Sequence, residues 1–272
     1  MIKPLINLSL FFLIASCSSY NNMRQIKEDK YDGLRFESFN RYDLVRLDKQ
    51  VKLQNPVALC QRAEYNDAND IFKDRLDKNL NNYDYWNQIS TCYILKKEYT
   101  QAKKFLDIAM STAKTKVHKS LILNNIGVVQ LETENYQEAK DYFKKAIALN
   151  KAALSPRYNL SQVFMKFGLY NKAQEQIKTL LKRNAQDIDF LNSYAHIELM
   201  QNRYKQALVF FNKIPKAYRS RDDIATNMAM TYFMLGLYDN AKSTLNNADK
   251  EDSFYSAAQV DILKKLDKAT GK

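Results

Sequence analysis

The sequence predicts an all-α fold, a stack of antiparallel helix pairs, and three observations predict it. An aromatic residue followed three positions later by alanine returns at Tyr99/Ala102, Tyr136/Ala139, Tyr170/Ala173, Tyr204/Ala207 and Tyr238/Ala241, with the alanines 37, 34, 34 and 34 residues apart. Small residues (Ser90, Gly127, Ser161, Ala195, Ala229) precede each alanine at a matching position, where a large side chain would hold a paired helix away. Glycine is scarce, five in 272 residues, and no multi-glycine loop interrupts the chain. A period in this range marks a repeat array in which no unit buries its apolar face alone.

The residues around each alanine give a fuller pattern: an aromatic or apolar residue, then an apolar and a small one, an aromatic, the alanine, a large apolar residue and a small one. The first clear copy reads Trp86, Ile89, Ser90, Tyr93, Ala102, Leu106, Ala109. The second reads Leu123, Ile126, Gly127, Ala139, Phe143, Ala146, and the third Leu160, Ser161, Phe164, Gly168, Ala173, Ile177. The fourth gives Leu191, Tyr194, Ala195, Ala207, Phe211, and the fifth Met228, Ala229, Tyr232, Gly236, Ala241, Leu245, Ala248. This pattern resembles the tetratricopeptide repeat (TPR), two antiparallel helices in 34 residues. The resemblance implies helix-turn-helix units stacked in a right-handed superhelical solenoid. In it the recurrent tyrosine packs at the turn between helices and is not a stacking platform for a ligand.

From its start, the chain opens on a targeting segment over residues 1–16. Lys3 supplies the positive charge, and Leu5 to Ala15 form an apolar run too short to span a bilayer. Ile14, Ala15, Ser16 and Cys17 resemble the bacterial lipobox, which implies cleavage before Cys17, its acylation (palmitate among the chains) and stable anchoring. Ser18, in place of an aspartate, implies the outer membrane, facing the periplasm. Residues 17–55 read as a polar tether whose scattered apolar residues (Leu34, Phe36, Phe39, Leu44, Val45, Leu47) form a short helix or lie against the first repeat. Pro56 suits the first turn of a helix. A degenerate first repeat is expected over 56–82, with Tyr65, Ala68 and Phe72 in register but Arg75 at a core position that asks for a small side chain.

Five repeats follow over 83–250. The three extra residues between the first two clear copies are expected as a longer turn around Lys114 to Lys119. Ser155 and Pro156 read as N-cap and first helical residue, and Pro215 should cut short the second helix of the fourth repeat. Residues 251–272 are read as a capping helix and tail, with Phe254, Ala258, Ile262 and Leu266 as its apolar stripe. Cys60 and Cys92 fall in the first helices of neighbouring units. Two free thiols are expected, with a bridge as the alternative in a compartment that permits disulfides.

The formal net charge is +12. For a periplasmic lipoprotein this points to anionic envelope components rather than nucleic acid, and most lysines (Lys103, Lys104, Lys144, Lys145) suit the solvated faces of second helices. An enzyme is poorly supported. Two histidines, His118 and His196, leave no His-paired nucleophile or multi-histidine metal site, and the glycine positions write no phosphate loop. No cofactor or metal is expected. A paired-carboxylate hydrolase stays open as a distant reading.

The TPR resemblance makes the concave face of the first helices the partner-binding groove. One inward row reads Asn87, Asn124, Tyr158, Asn192, Thr226; the next reads Thr91, Val128, Gln162, His196, Met230; a third, partly core, reads Ile94, Leu131, Met165, Leu199, Phe233. Amides in these rows can satisfy the backbone of a bound peptide. TPR grooves that clamp a C-terminal carboxylate use lysine and arginine, which these rows lack. Lipobox plus repeats resemble bacterial outer-membrane TPR lipoproteins, whose known kinds are type IV pilus pilotins that help a secretin assemble, adaptors for peptidoglycan hydrolases, and a subunit of the outer-membrane barrel assembly machine. The implied function is a non-catalytic, lipid-anchored scaffold for a protein partner. The pilotin type leads, the adaptor or barrel-assembly types are alternatives, and a basic envelope tether is a reading of another class.

Overall fold

The computed structural model describes residues 34–35, 54–249 and 255–271. Cys17, the expected signal segment and most of the expected tether lie outside the described residues, as does Phe254. Among the described residues there are thirteen α-helices and no strand. They pair as α1 (Pro56–Gln61) with α2 (Tyr65–Arg75), α3 (Tyr83–Leu95) with α4 (Tyr99–Thr112), and α5 (Lys116–Glu132) with α6 (Tyr136–Leu149). Then come α7 (Ser155–Lys166) with α8 (Tyr170–Leu181), α9 (Ile188–Met200) with α10 (Tyr204–Phe211), and α11 (Asp222–Met234) with α12 (Tyr238–Asn246), closed by α13 (Ser256–Thr270).

Every second helix begins at the recurrent tyrosine. The turn before it is the same in all six pairs. The residue two positions ahead of the tyrosine has a left-handed backbone: Ala63, Lys97, Glu134, Gly168, Asn202 and Gly236, with φ between 60° and 73°. The following N–H reaches back to the carbonyl five residues earlier, as in Glu98 N to Tyr93 O at 2.9 Å and Leu237 N to Tyr232 O at 2.9 Å. This is the Schellman motif, which satisfies the carbonyls that the end of the first helix leaves orphaned. Only two of the six positions are glycine, so the turn geometry is imposed by the pairing of the helices around it.

The six alanines of the motif (Ala68, Ala102, Ala139, Ala173, Ala207, Ala241) are all fully buried, because the two helices of each pair meet there. Phe143 fills the space that Gly127 leaves on the facing helix. The buried hydroxyls of Ser90 and Ser161 donate to the carbonyls of Asn87 and Tyr158 in their own helices, so small polar residues sit in the contact without unpaired groups. The core runs continuously from Ile94 in α3 to Ile197 in α9, and smaller clusters continue it toward both ends.

Three local expectations are corrected. The extra residues before the second clear repeat do not lengthen the turn. They extend α5 at its N-terminus to 17 residues, capped by Thr115 Oγ1 accepting from His118 N, and the His118 ring stacks on Tyr83. In the closing helix Ala258 is exposed, and Ile262 and Leu266 carry the contact with Ala229, Ala241 and Leu245. Helix α7 begins one residue early, with Ser155 its first residue and Leu154 its N-cap. Helix α10 ends at Phe211, four residues before Pro215.

The expectation of free thiols is also overturned: Cys60 and Cys92 form a disulfide, with a Cα–Cα distance of 5.2 Å. Their separation is 32 residues, not the repeat period. Equivalent positions of α1 and α3 would point the same way, and a two-residue offset turns the two side chains toward each other across adjacent first helices. They meet inside the cluster formed by Leu59, Ala68, Phe72, Tyr85 and Ile89.

Candidate functional site: the face of the first helices

The first helices α3, α5, α7, α9 and α11 stack side by side and present a polar face crossed by an asparagine ladder. Asn125 Nδ2 donates to Asn87 Oδ1 (2.9 Å), Asn124 Nδ2 to Asn125 Oδ1 (3.0 Å) and Asn159 Nδ2 to Asn124 Oδ1 (2.8 Å). Farther along, Asn227 Nδ2 donates to Asn192 Oδ1 (3.3 Å), Asn192 Nδ2 to Asp223 Oδ2 (2.7 Å) and Gln259 Nε2 to Thr226 Oγ1 (3.0 Å). Asparagine, carrying both a donor and an acceptor, can continue such a chain from one repeat to the next.

A segment of the chain itself lies on this ladder. The Leu34 N–H donates to Asn125 Oδ1 (2.9 Å), and its carbonyl accepts from Asn124 Nδ2 (2.8 Å) and Asn159 Nδ2 (3.0 Å). Both polar groups of one peptide residue are thereby satisfied by side chains of α5 and α7. The Leu34 side chain packs on the apolar core below.

The next residue, Arg35, is buried. Its Nη1 lies 3.0 Å from Asp187 Oδ2 and 4.0 Å from Asp189 Oδ2, and its guanidinium carbon sits 4.8 Å from the centre of the Phe190 ring. Asp187 caps α9 through Oδ1, which accepts from Phe190 N (3.2 Å), leaving Oδ2 for the arginine. The charges then alternate. Asp189 Oδ1 meets Arg221 Nη1 at 3.0 Å, and Arg221 is bidentate on Asp223, Nε to Oδ1 at 2.6 Å and Nη2 to Oδ2 at 2.7 Å. Burial works against the charge on Arg221, but Asp223 and Asp189 outweigh it and hold its pKa above the ordinary arginine value.

The sequence-derived rows fall on or beneath this face. Asn87, Asn124, Tyr158, Asn192 and Thr226 are all buried, as are Thr91 and Val128. Gln162, His196 and Met230 are half-buried. Val128 belongs to the core cluster, as do Ile94 and Leu131 from the third row. Burial pushes the Tyr158 hydroxyl well up, aided by Asp189 and opposed by a hydrogen bond with Ser193. Enclosure lowers the His196 pKa to about 4 despite the opposing pull of Asp223, so the ring is neutral at pH 7.

Sequence reasoning missed Asn125 and Asn159, Asp187, Asp189 and Phe190, Arg221 and Asp223, and the docked Arg35. A signal existed for some of them. Asn125 and Asn159 stand 34 residues apart, as do Asp189 and Asp223, each pair at a fixed place in the repeat. Leu34, expected in a short helix or against the first repeat, lies on α5 and α7 instead, and nothing in the sequence marks Arg35. Among the described residues, no group of three or more His, Cys, Asp or Glu side chains is placed to hold a metal ion, and no helix is long and apolar enough to cross a membrane.

Against this geometry, comparison with known proteins gives a consistent answer for the fold. Tetratricopeptide-repeat family profiles match residues 84–152 and 130–197. Over residues 84–197 the chain is thus similar to tetratricopeptide repeats. The uncharacterized protein ycf37 of Cyanophora paradoxa is 35% identical over 80 residues, 29% of this chain and 46% of that protein. The chain thus spans less than half the length of that curated relative. Among solved structures, pilF of Pseudomonas aeruginosa superposes with a TM-score of 0.61 at 15% identity, covering 83% of this chain and 97% of that one. PilW, described as a widely conserved type IV pilus biogenesis factor, gives a TM-score of 0.60 at 20% identity, covering 77% and 96%. At these identities the TPR likeness is one of fold.

Proposed function

We propose that this TPR protein is a non-catalytic scaffold that binds a protein partner on the face of its first helices. The carrying observation is that this face already holds a residue from outside the repeats, Leu34, by both backbone polar groups. A surface that satisfies backbone rather than one particular side chain is suited to peptide segments. The lipobox-like residues Ile14 to Cys17 support lipid anchoring at Cys17, at the outer membrane and facing the periplasm. The Cys60–Cys92 bridge supports an oxidising compartment of that kind. Within it, the fold shared with pilF and PilW favours assembly of an envelope complex such as a type IV pilus and its secretin.

The test is in-cell photocrosslinking from the half-buried positions Gln162, His196 and Met230, with mass spectrometry of the products and of labelled Cys17. One discrete envelope protein, with acylated Cys17, is the expected result. A peptidoglycan hydrolase or barrel subunit as that protein would move the scaffold to a different assembly. Glycan products lost at high salt would replace the reading with an envelope tether acting through the +12 charge.

A further inference from the structure

The polar face carries more than a backbone clamp: it carries a seat for one kind of side chain. Asp187, Asp189 and Asp223 are buried together, and Arg221 is the cation that the repeats themselves supply beside them. Among the described residues, these three carboxylates face two guanidinium groups, Arg221 from the repeats and Arg35 from the docked segment. Burying carboxylates without a counter-charge is costly, and Arg35 supplies a counter-charge to Asp187 and Asp189. Its flat guanidinium lies over Phe190 while Nη1 bonds Asp187. A planar, weakly hydrated cation suits such a seat better than the compact ammonium of lysine. The clamp fixes the residue before the cation by its backbone and accepts its side chain on apolar core.

We propose that the face is an arginine-reading peptide site, held in cis by Leu34–Arg35, which a protein partner engages with its own extended, arginine-bearing segment by displacing that dipeptide. This rests on the scaffold reading above and names the chemistry of its partner. A tethered occupant competes at high effective concentration, so the parent chain is the closed form of the site. The partner's binding is weakened by the fraction of time the seat is filled.

The experiment uses the full chain and a fluorescent peptide of residues 31–37, Tyr-Asp-Gly-Leu-Arg-Phe-Glu. By anisotropy, Arg35→Ala should bind this peptide at least tenfold more tightly than the parent chain. The same peptide with alanine for arginine should lose at least tenfold on Arg35→Ala. Asp187→Asn keeps the helix cap, since asparagine caps as well as aspartate, and added to Arg35→Ala should weaken binding tenfold. If Arg35→Ala takes up the arginine and alanine peptides equally, the seat is refuted.

Trypsin supplies a second measurement that leaves Arg35 in place. Cleavage after Arg35 should be slow in the parent, unchanged on dilution, and several-fold faster in Asp187→Asn. Equal rates in the two proteins overturn the docking, and protection that fades on dilution assigns the seat to a second copy instead of to the chain itself. Peptide data that fail while photocrosslinks from Gln162 still capture one protein would refute this inference and spare the scaffold. Peptide data that succeed without any captured protein would do the reverse.

Discussion

At the scale of single residues, the repeat turn shows how far helix pairing overrides local preference. Glu134 is exposed and left-handed, with φ of 62°. An L-residue there costs about 1–2 kcal/mol, more than the roughly 0.4–1 kcal/mol that glycine's extra unfolded freedom costs. Glu134→Gly should therefore raise stability by about 0.5–1 kcal/mol, read as a higher urea midpoint at unchanged slope. Gly127 lies in the opposite situation. A β-carbon there would stand 2.6 Å from Cε1 of the fully buried Phe143. Gly127→Ala should cost about 1–3 kcal/mol, and pairing it with Phe143→Leu should recover part of that loss. His196 brings a pH dependence. Its folded pKa of about 4 lies below the ordinary 6.5, so its neutral form stabilises the fold fully above pH 6.5 and the contribution is lost as pH falls toward 4. Melting temperature should drop across that window, and less steeply in His196→Gln.

At the scale of elements, what the sequence made legible was what the period makes obligatory. Tyrosine and alanine at fixed spacing located the start of every second helix, because close packing at one point tolerates no other size. Elements that depart from the period were not legible. The extension of α5 uses residues with no partner in other repeats. The bridge between α1 and α3 depends on an offset that a register count hides. The docked dipeptide belongs to no repeat at all. Of the site, the first asparagine row and the Asp189/Asp223 pair stand in register, whereas Asp187 and Arg221, just ahead of α9 and α11, fill one repeat position with opposite charges, which no period marks. The bridge also explains how so short a helix as α1, six residues, holds its place. Closing a loop of this length is worth about 3–4 kcal/mol. Replacing Cys60 and Cys92 together by serine should cost about 2–4 kcal/mol. Alkylation of the denatured, unreduced protein should leave both cysteines unlabelled, and labelling would remove the bridge.

At the scale of the whole molecule, stability in a repeat array is a sum over units and the contacts between neighbours, so its distribution follows the core. The largest cluster spans α3 to α9, whereas the last one rests on Ala229, Ala241, Leu245, Ile262 and Leu266. The N-terminal end has a covalent bridge and the C-terminal end has none among the described residues. Hydrogen exchange should therefore be slowest in α5 to α8 and fastest in α12 and α13, with the fraying confined to one end. Uniform protection along the chain would mean that the array opens as a single unit instead. The Leu34 amide is the informative exception to distance along the chain. It lies 91 residues before the Asn125 carboxamide that accepts its proton, so its exchange should follow that of α5 and α7. In Arg35→Ala the loss of the guanidinium from its seat should speed Leu34 exchange at least tenfold while α5 and α7 keep their rates. A Leu34 amide already exchanging like a free peptide in the parent chain would show that the face is open in solution. The partner would then meet an unoccupied clamp.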